Sequence, residues 1–245
     1  MKLIRNKYIS FLLLLYIIFF FSTLLLSNNN INGDFNFHYS RIKYLAENIN
    51  NDCFFSPIYY PQIEAYGYGS PMFYCNLFLY PFACLMLIGV SDNVVTKLAI
   101  ITPILISLIT SYYSIYKIFK NHKSAFIFCI VYNFSTYYFC NVFSRYALGE
   151  AYATSFLPLV MLGFYSITFE DSKHWLALPI GLACCMLSHI LTSLITVITL
   201  FIVFILFISI YIKDKKKIGK LFSSATIFLL LTAFLFSLCL SNFYQ

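Results

Sequence analysis

The chain has 245 residues, of which 61% are hydrophobic and only 10% charged, whereas roughly a quarter of an average globular chain is charged. That leaves too few polar residues to cover a water-facing surface, so an ordinary soluble domain is excluded and an integral membrane protein is expected. The net charge of +7 sits mostly in short lysine clusters between apolar runs, where it sets topology and does not point to nucleic acid as a partner.

In chain order, Lys2, Arg5 and Lys7 precede an apolar run at 8–26. The arrangement is like a signal peptide, but the run exceeds the ~7–15 residues of a signal core, and Ser27-Asn28-Asn29-Asn30 offers no cleavage site. An uncleaved first helix is expected. Further apolar runs lie at 72–90, 94–116, 124–143, 151–169, 175–212 and 221–240. The run at 175–212 is too long for one span of ~20 residues, so it must break, and Ser188-His189 is the polar interruption. If 72–90 crossed as well, Lys117, Lys120, Lys123 and the lysines from 213 to 220 would lie outside, against the positive-inside rule. If it does not cross, Lys2, Arg5, Lys7, Lys117, Lys120, Lys123, Lys173, Lys213, Lys215, Lys216, Lys217 and Lys220 lie inside. Arg41, Lys43, Lys97 and Arg145 then lie outside, a split of twelve against four among the 16 basic residues. Residues 72–90 therefore read as a re-entrant or interfacial helix, kinked in its middle by Pro81. The fold expected is an all-α polytopic membrane protein, one transmembrane module over 1–245. Its crossings are at about 8–26, 94–116, 124–143, 151–169, 175–188, 190–212 and 221–240, with the N-terminus cytoplasmic and a long outer loop at 27–93. The eight cysteines have no CxxC spacing; only Cys53 sits in a polar loop, and a pairing with Cys75 is open.

The outer loop opens on an amphipathic helix at 34–50. Phe35, Tyr39, Ile42, Ala46 and Ile49 share one face, with Asn36, Ser40, Lys43 and Glu47 opposite. Such a helix lies flat at a membrane surface. Asp34, His38 and Arg41 fall at i, i+4 and i+7 on the edge between the faces. Two readings fit: Asp34 caps the helix and the others are interfacial polar residues, or the three form a reactive edge. Pro and Gly between Ser56 and Pro71 signal turns, within which Glu64 is a lone acid among aromatics. Tyr66 and Tyr68 suit either an aromatic belt or stacking on a sugar or prenyl face. Farther on, Arg145 and Glu150 bracket the start of an apolar run, either as a structural pair or as functional groups. His189 is either a helix-end histidine bonded to backbone or part of the same site.

Four segments carry a resemblance: Gly33-Asp34-Phe35-Asn36-Phe37-His38-Tyr39-Ser40-Arg41-Ile42; Gly67-Tyr68-Gly69-Ser70-Pro71-Met72-Phe73-Tyr74; Arg145-Tyr146-Ala147-Leu148-Gly149-Glu150 with Leu157-Pro158-Leu159; and Leu187-Ser188-His189-Ile190-Leu191. In this order they resemble the bacterial membrane family labelled 6-pyruvoyl-tetrahydropterin synthase-related. That label does not imply pterin synthesis, because His38, His122, His174 and His189 are scattered, two on each side of the expected membrane, and no three meet at one metal. The family is similar to the GT-C superfamily of membrane glycosyltransferases, which share seven helices, a large first outer loop with membrane-parallel helices and an early acid in that loop. The resemblance implies a bacterial plasma-membrane enzyme in which Asp34 takes the place of the catalytic acid and Glu64 that of a second one. Asp34 stands without an adjacent acid, so a divalent metal ion as cofactor is left open.

The chemistry so implied is transfer of a sugar from a polyprenyl-phosphate donor held among membrane lipids. Asp34 is the expected general base, Arg145 or Arg41 holds the phosphate, and Glu64 orients the acceptor or a metal. His38, Tyr66, Tyr68, Glu150 and His189 complete the expected binding set. The alternatives are a non-catalytic protein that binds or transports lipid-linked sugars, and an inactive fragment. GT-C proteins continue into further helices or a soluble domain, so a C-terminal remainder or a partner chain is also expected.

Overall fold

A computed structural model describes residues 7–25, 34–51, 54, 69 and 75–241. The described residues form helices and turns and no strand. The helices are α1 (Lys7–Leu25), α2 (Phe35–Asn50), a 3-10 turn (Leu77–Leu79) leading into α3 (Tyr80–Leu87), α4 (Asp92–Phe119), α5 (His122–Asn133), α6 (Thr136–Phe143), α7 (Leu148–Phe169), α8 (Ala177–Met186), α9 (Ile190–Leu206), α10 (Ile208–Lys213) and α11 (Lys215–Ser241). Two of them, α4 and α7, are long and apolar enough to cross a membrane. The number rises to three if α5 and α6, bent by 54° at a short break, count as one span. Large apolar side chains lie open on the surface, among them Leu206 at 72%, Phe222 at 74% and Leu230 at 70% exposure. Water would not tolerate such a surface on a monomeric soluble protein, and it is consistent with a membrane protein.

The core is the pairing of α4 with α7, onto which α1, α5 and α8 pack. Small residues make the close approach: Ala99, Ser107, Ser111 and Ser114 on α4 and Ala151 and Ser155 on α7 are buried, as expected where helices associate without a hydrophobic driving force. Between α7 and α8 the contact is close as well. A Cβ on Gly163 would lie 2.0 Å from the backbone nitrogen of Leu178.

Two prolines interrupt these helices, and each freed carbonyl is taken by a tyrosine from a neighbouring helix. Pro103 in α4 cannot donate to the carbonyl of Ala99; the Tyr152 hydroxyl of α7 donates to it instead, at 3.2 Å. Pro158 in α7 likewise frees the carbonyl of Thr154, and the Tyr132 hydroxyl of α5 donates to it at 2.6 Å. Where no water reaches the backbone, such substitutes are what make an internal proline tolerable.

Several expectations need correction. Pro81 lies in the first turn of α3 and does not kink its middle, because helix begins only near residue 77. With eight residues, α3 is roughly 12 Å long, far short of a hydrocarbon core of ~30 Å. The run at 175–212 does break at Ser188-His189, between α8 and α9. However, α8 has only ten residues, roughly 15 Å, so the helical part of 175–188 is shorter than the run suggests. The apolar side of α2 is also misplaced: His38 and Arg41 do not lie on an edge but in the buried face, with Ile42, Leu45 and Ala46, and that face packs on α3. Glu64, Tyr66, Tyr68 and Cys53 lie outside the described residues.

Candidate functional site

Three helices begin at one place. Asp34 at the head of α2, Ala147, Gly149 and Glu150 at the head of α7, and His189 at the head of α9 line a polar pocket of about 90 Å³, together with Phe37 and His38. Helix starts leave backbone N–H groups without intrahelical partners and carry partial positive charge.

The segment before α7 fastens the start of α2. The N–H of Asp34 donates to the carbonyl of Arg145 at 2.9 Å, and the ring of Phe35 meets Tyr146 edge-on at 6.0 Å. Tyr146 has φ 55°, a left-handed conformation that a side chain adopts only at a cost. The turn is therefore held by its surroundings. The Asp34 carboxylate makes no cap hydrogen bond to α2, which leaves the capping reading without its defining contact.

Glu150 is bonded through both carboxylate oxygens. Its Oε2 accepts from the Tyr137 hydroxyl at 2.8 Å and from Arg145 Nη1 at 3.2 Å, while Oε1 accepts from Arg145 Nη2 at 3.3 Å. Arg145 Nη1 also donates to Asn141 Oδ1 at 3.0 Å. The structural Arg145–Glu150 pair thus exists. A guanidinium has five N–H groups, and these three bonds leave two of them on a side chain that is half exposed.

Arg41 lies deeper, 2% exposed. It donates from Nη2 to the Cys75 carbonyl at 3.1 Å and to Asn76 Oδ1 at 2.9 Å, and its Nη1 stands 3.1 Å from His38 Nδ1. A guanidinium can only donate, so His38 Nδ1 accepts and its hydrogen sits on Nε2. Burial, the Arg41 charge and the neighbouring His189 hold the His38 pKa well below its ordinary value, so the ring is neutral. His189 resembles it. Its Nδ1 accepts from the Thr192 backbone N–H at 3.3 Å and lies 2.8 Å from the Thr192 hydroxyl, the helix-end arrangement of its simpler reading. Burial lowers its pKa; Glu150 opposes that shift, and Arg41 and Arg145 add to it.

The structure therefore brings Asp34, His38, Glu150 and His189 to one pocket, with Arg145 joined to Glu150 and Arg41 behind His38. Sequence reasoning missed Tyr137, Asn141 and Asn76. Asn141 stands four residues before Arg145, a helical spacing that was legible. Tyr137 and Asn76 reach the site through tertiary packing, which leaves no local signal. Beside the pocket, a groove of about 510 Å³ between α7 and α9 runs from Tyr137, Thr154 and Thr192 to Phe169 and Val203. Tyr137 and Thr192 are the partners of Glu150 and His189, so groove and pocket adjoin. Among the described residues, no three His, Cys, Asp or Glu side chains are grouped to hold a metal ion. Protein-family models, curated proteins and solved structures give no match to this chain.

Proposed function

We propose that this chain is a membrane glycosyltransferase that moves a sugar from a polyprenyl-phosphate donor to an acceptor hydroxyl on the extracytoplasmic side. The observation that carries the reading is the polar pocket at the mouth of an apolar groove, with Asp34, His38, Glu150, His189 and Arg145 gathered from three distant stretches of a chain that is only 10% charged. Ionisable groups assembled within apolar surroundings are functional far more often than incidental. The groove would take the prenyl chain and the pocket the sugar phosphate.

In the reaction, the Asp34 carboxylate takes the proton of the acceptor hydroxyl. The acceptor oxygen bonds to the anomeric carbon as the bond from that carbon to the phosphate oxygen breaks, and the electron pair leaves with polyprenyl phosphate. The free N–H groups of Arg145 and the backbone N–H groups at the head of α7 offset the charge on that leaving group. Neutral His38 and His189 donate to sugar hydroxyls. Arg41 is a positioning residue that fixes the His38 tautomer. In this reading the chain crosses seven times with its N-terminus cytoplasmic, and Glu64, Tyr66 and Tyr68 of the outer loop face the acceptor.

The second reading is a protein that binds or transports lipid-linked sugars without reacting. It is favoured by the Arg145–Glu150 pair, which already engages much of the guanidinium. Asp34→Asn separates the two. The purified protein is assayed for sugar transfer from a polyprenyl-phosphate donor, beside thermal stability in detergent. Transfer should be abolished with stability unchanged. Full transfer by the Asn variant removes Asp34 from the chemistry, and an intact donor affinity with no transfer by any form supports the binder.

A further inference from the structure

At the opposite end of α4 from its start at Asp92 lies a second groove, of about 330 Å³, between α1 and α4. Its walls are Leu12 and Leu13 of α1 and Leu105, Leu108 and Ile109 of α4, and its rim is formed by Tyr112, Tyr116 and His122. The rim is built from stacked rings: His122 lies on Tyr116 at 4.3 Å and 17°, and its Nδ1 is 2.9 Å from the Tyr112 hydroxyl. From Tyr116 down to Leu105 the groove follows α4 for roughly 16 Å, about half of a ~30 Å hydrocarbon core, which is the reach of one lipid leaflet.

The charges that α1, the end of α4 and α5 bring to this rim are all basic; Glu170, which acts on His174 together with Lys117 and Lys120, follows the end of α7. Lys117 stands over the ring of Tyr113 at 5.3 Å, and Tyr113 also lines the groove. Lys120 and Lys123 are exposed on the turn that carries His122, and Lys7 opens α1. No Asp or Glu occurs in residues 7–25 or 98–133. Among the described residues the ion pair present is Arg145–Glu150 at the other site, so these lysines have no carboxylate partner. A basic cluster at the mouth of an apolar slot between helices, at leaflet depth, is the chemistry that recognises an anionic phospholipid.

We propose that this groove binds one anionic phospholipid, with an acyl chain along Leu12, Leu108 and Ile109 and its phosphate among Lys117, Lys120 and Lys123. The site is separate from the Asp34 pocket and does not depend on the glycosyltransferase reading. The aromatic rim supplies the boundary between the two parts of the lipid, since tyrosine rings have an apolar body and a polar tip that suit headgroup depth.

The test uses the purified full chain in detergent, titrated with dioleoyl phosphatidylglycerol or with dioleoyl phosphatidylcholine, and reads bound lipid by native mass spectrometry. The unmodified chain should retain one phosphatidylglycerol in preference to phosphatidylcholine. Removing a lysine should weaken that retention roughly fivefold, and the triple variant Lys117→Gln, Lys120→Gln, Lys123→Gln about a hundredfold, with thermal stability unchanged because the side chains are solvent-facing or rim-exposed. Ile109, 59% exposed on the groove wall, tests the slot itself: Ile109→Trp should fill it and lower retention of both lipids. Equal retention of the two lipids by the unmodified chain overturns the proposal. So does loss in the lysine variant with full retention in Ile109→Trp, because that outcome means a surface charge patch with no groove site.

Discussion

The backbone N–H of Asp34 donates to the backbone carbonyl of Arg145 at 2.9 Å, across 111 positions of sequence. It joins the head of the first amphipathic helix to the turn that opens α7. Because the bond is between main-chain atoms, exchanging the Asp34 side chain leaves it in place. The carboxylate makes no cap bond either, and Asn is itself a good residue at a helix start. Asp34→Asn thus changes the charge of the pocket while sparing the contacts that shape it.

Arg145 and Glu150 should separate under conservative exchange. Lysine retains the charge but not the planar fork that reaches two carboxylate oxygens and leaves further N–H groups for a phosphate. Arg145→Lys should weaken binding of a polyprenyl-phosphate sugar by roughly ten- to a hundredfold, the range for losing hydrogen bonds to a charged group. Glu150→Gln, which keeps an acceptor for Tyr137 and Arg145, should weaken it less. Donor titration by intrinsic fluorescence or calorimetry reads both. Equal loss of stability in the two variants with unchanged donor affinity would mean that the pair is structural only.

His38 should make stability depend on pH. Its folded pKa lies well below the ordinary 6.5 through burial first, then Arg41 and His189, while in the unfolded chain it titrates near the ordinary value. Below that value the unfolded state binds a proton that the folded state resists, so stability falls as pH drops through about 6.5 and continues to fall toward the folded pKa. Thermal melts in detergent between pH 8 and pH 5 should show this slope. His38→Gln should flatten it, although His189 has a lowered pKa as well and contributes a residual slope of the same sign. An unchanged slope in His38→Gln would mean that His38 is not held neutral.

Parts of this site were legible in the sequence for physical reasons. The start of α2 after Asn32-Gly33, the break at Ser188-His189, and Arg145 and Glu150 at the edge of an apolar run all follow from the scarcity of polar residues: in a chain this apolar, each exception marks an end or a site. The buried face of α2 was not legible, because periodicity counts His38 and Arg41 as polar and turns them outward. They are inside because Arg41 Nη1 meets His38 Nδ1, and because Cys75 and Asn76, more than thirty residues later, accept from Arg41 Nη2. Local spacing cannot report a partner that distant. The tyrosines that cover the carbonyls freed by Pro103 and Pro158 are hidden for the same reason.

Labelling should read the topology proposed for the chain. Single cysteines placed at position 50, which is exposed where the neighbouring Asn48 is buried, and at position 145 in a variant lacking native cysteines should react with an impermeant thiol reagent from outside intact cells, and those at positions 120 and 215 should not. The expectation rests on the twelve-to-four split of basic residues. Reaction at position 120 from outside would mean that the segment containing α3 crosses.

Gly163 should tolerate no side chain. The Cβ of an alanine there would lie 2.0 Å from the Leu178 nitrogen and 2.6 Å from its Cα, and backbone cannot turn aside as a side chain can. α7 and α8 would have to separate, which for overpacking costs about 1–3 kcal/mol. Gly219, beside which a Cβ meets nothing within 4 Å, is the control. Gly163→Ala should lower the melting temperature in detergent, and Gly219→Ala should not. Equal melting temperatures for the two would remove the close α7–α8 contact.

The proline–tyrosine pairs make the most direct claim about how this fold tolerates its own interruptions. Pro103 and Pro158 each remove one hydrogen bond from a long helix, at the carbonyls of Ala99 and Thr154. Tyr152 and Tyr132 donate to those same two carbonyls from the helices packed alongside. If the pairing compensates the prolines, Tyr152→Phe and Tyr132→Phe should each destabilise the protein by about 1 kcal/mol, the net worth of a hydrogen bond whose loss leaves a buried carbonyl unpaired. Phenylalanine preserves the ring packing, so the loss reports the hydroxyl alone. The proline should then control the size of the effect. In a Pro158→Ala background the alanine N–H can bond Thr154 itself, and Tyr132→Phe should lose most of its effect there. A double-mutant cycle in detergent melts measures that coupling. Additive effects of the two substitutions would show that the tyrosine stabilises the bundle independently of the proline, and the compensation argument would fail for that pair.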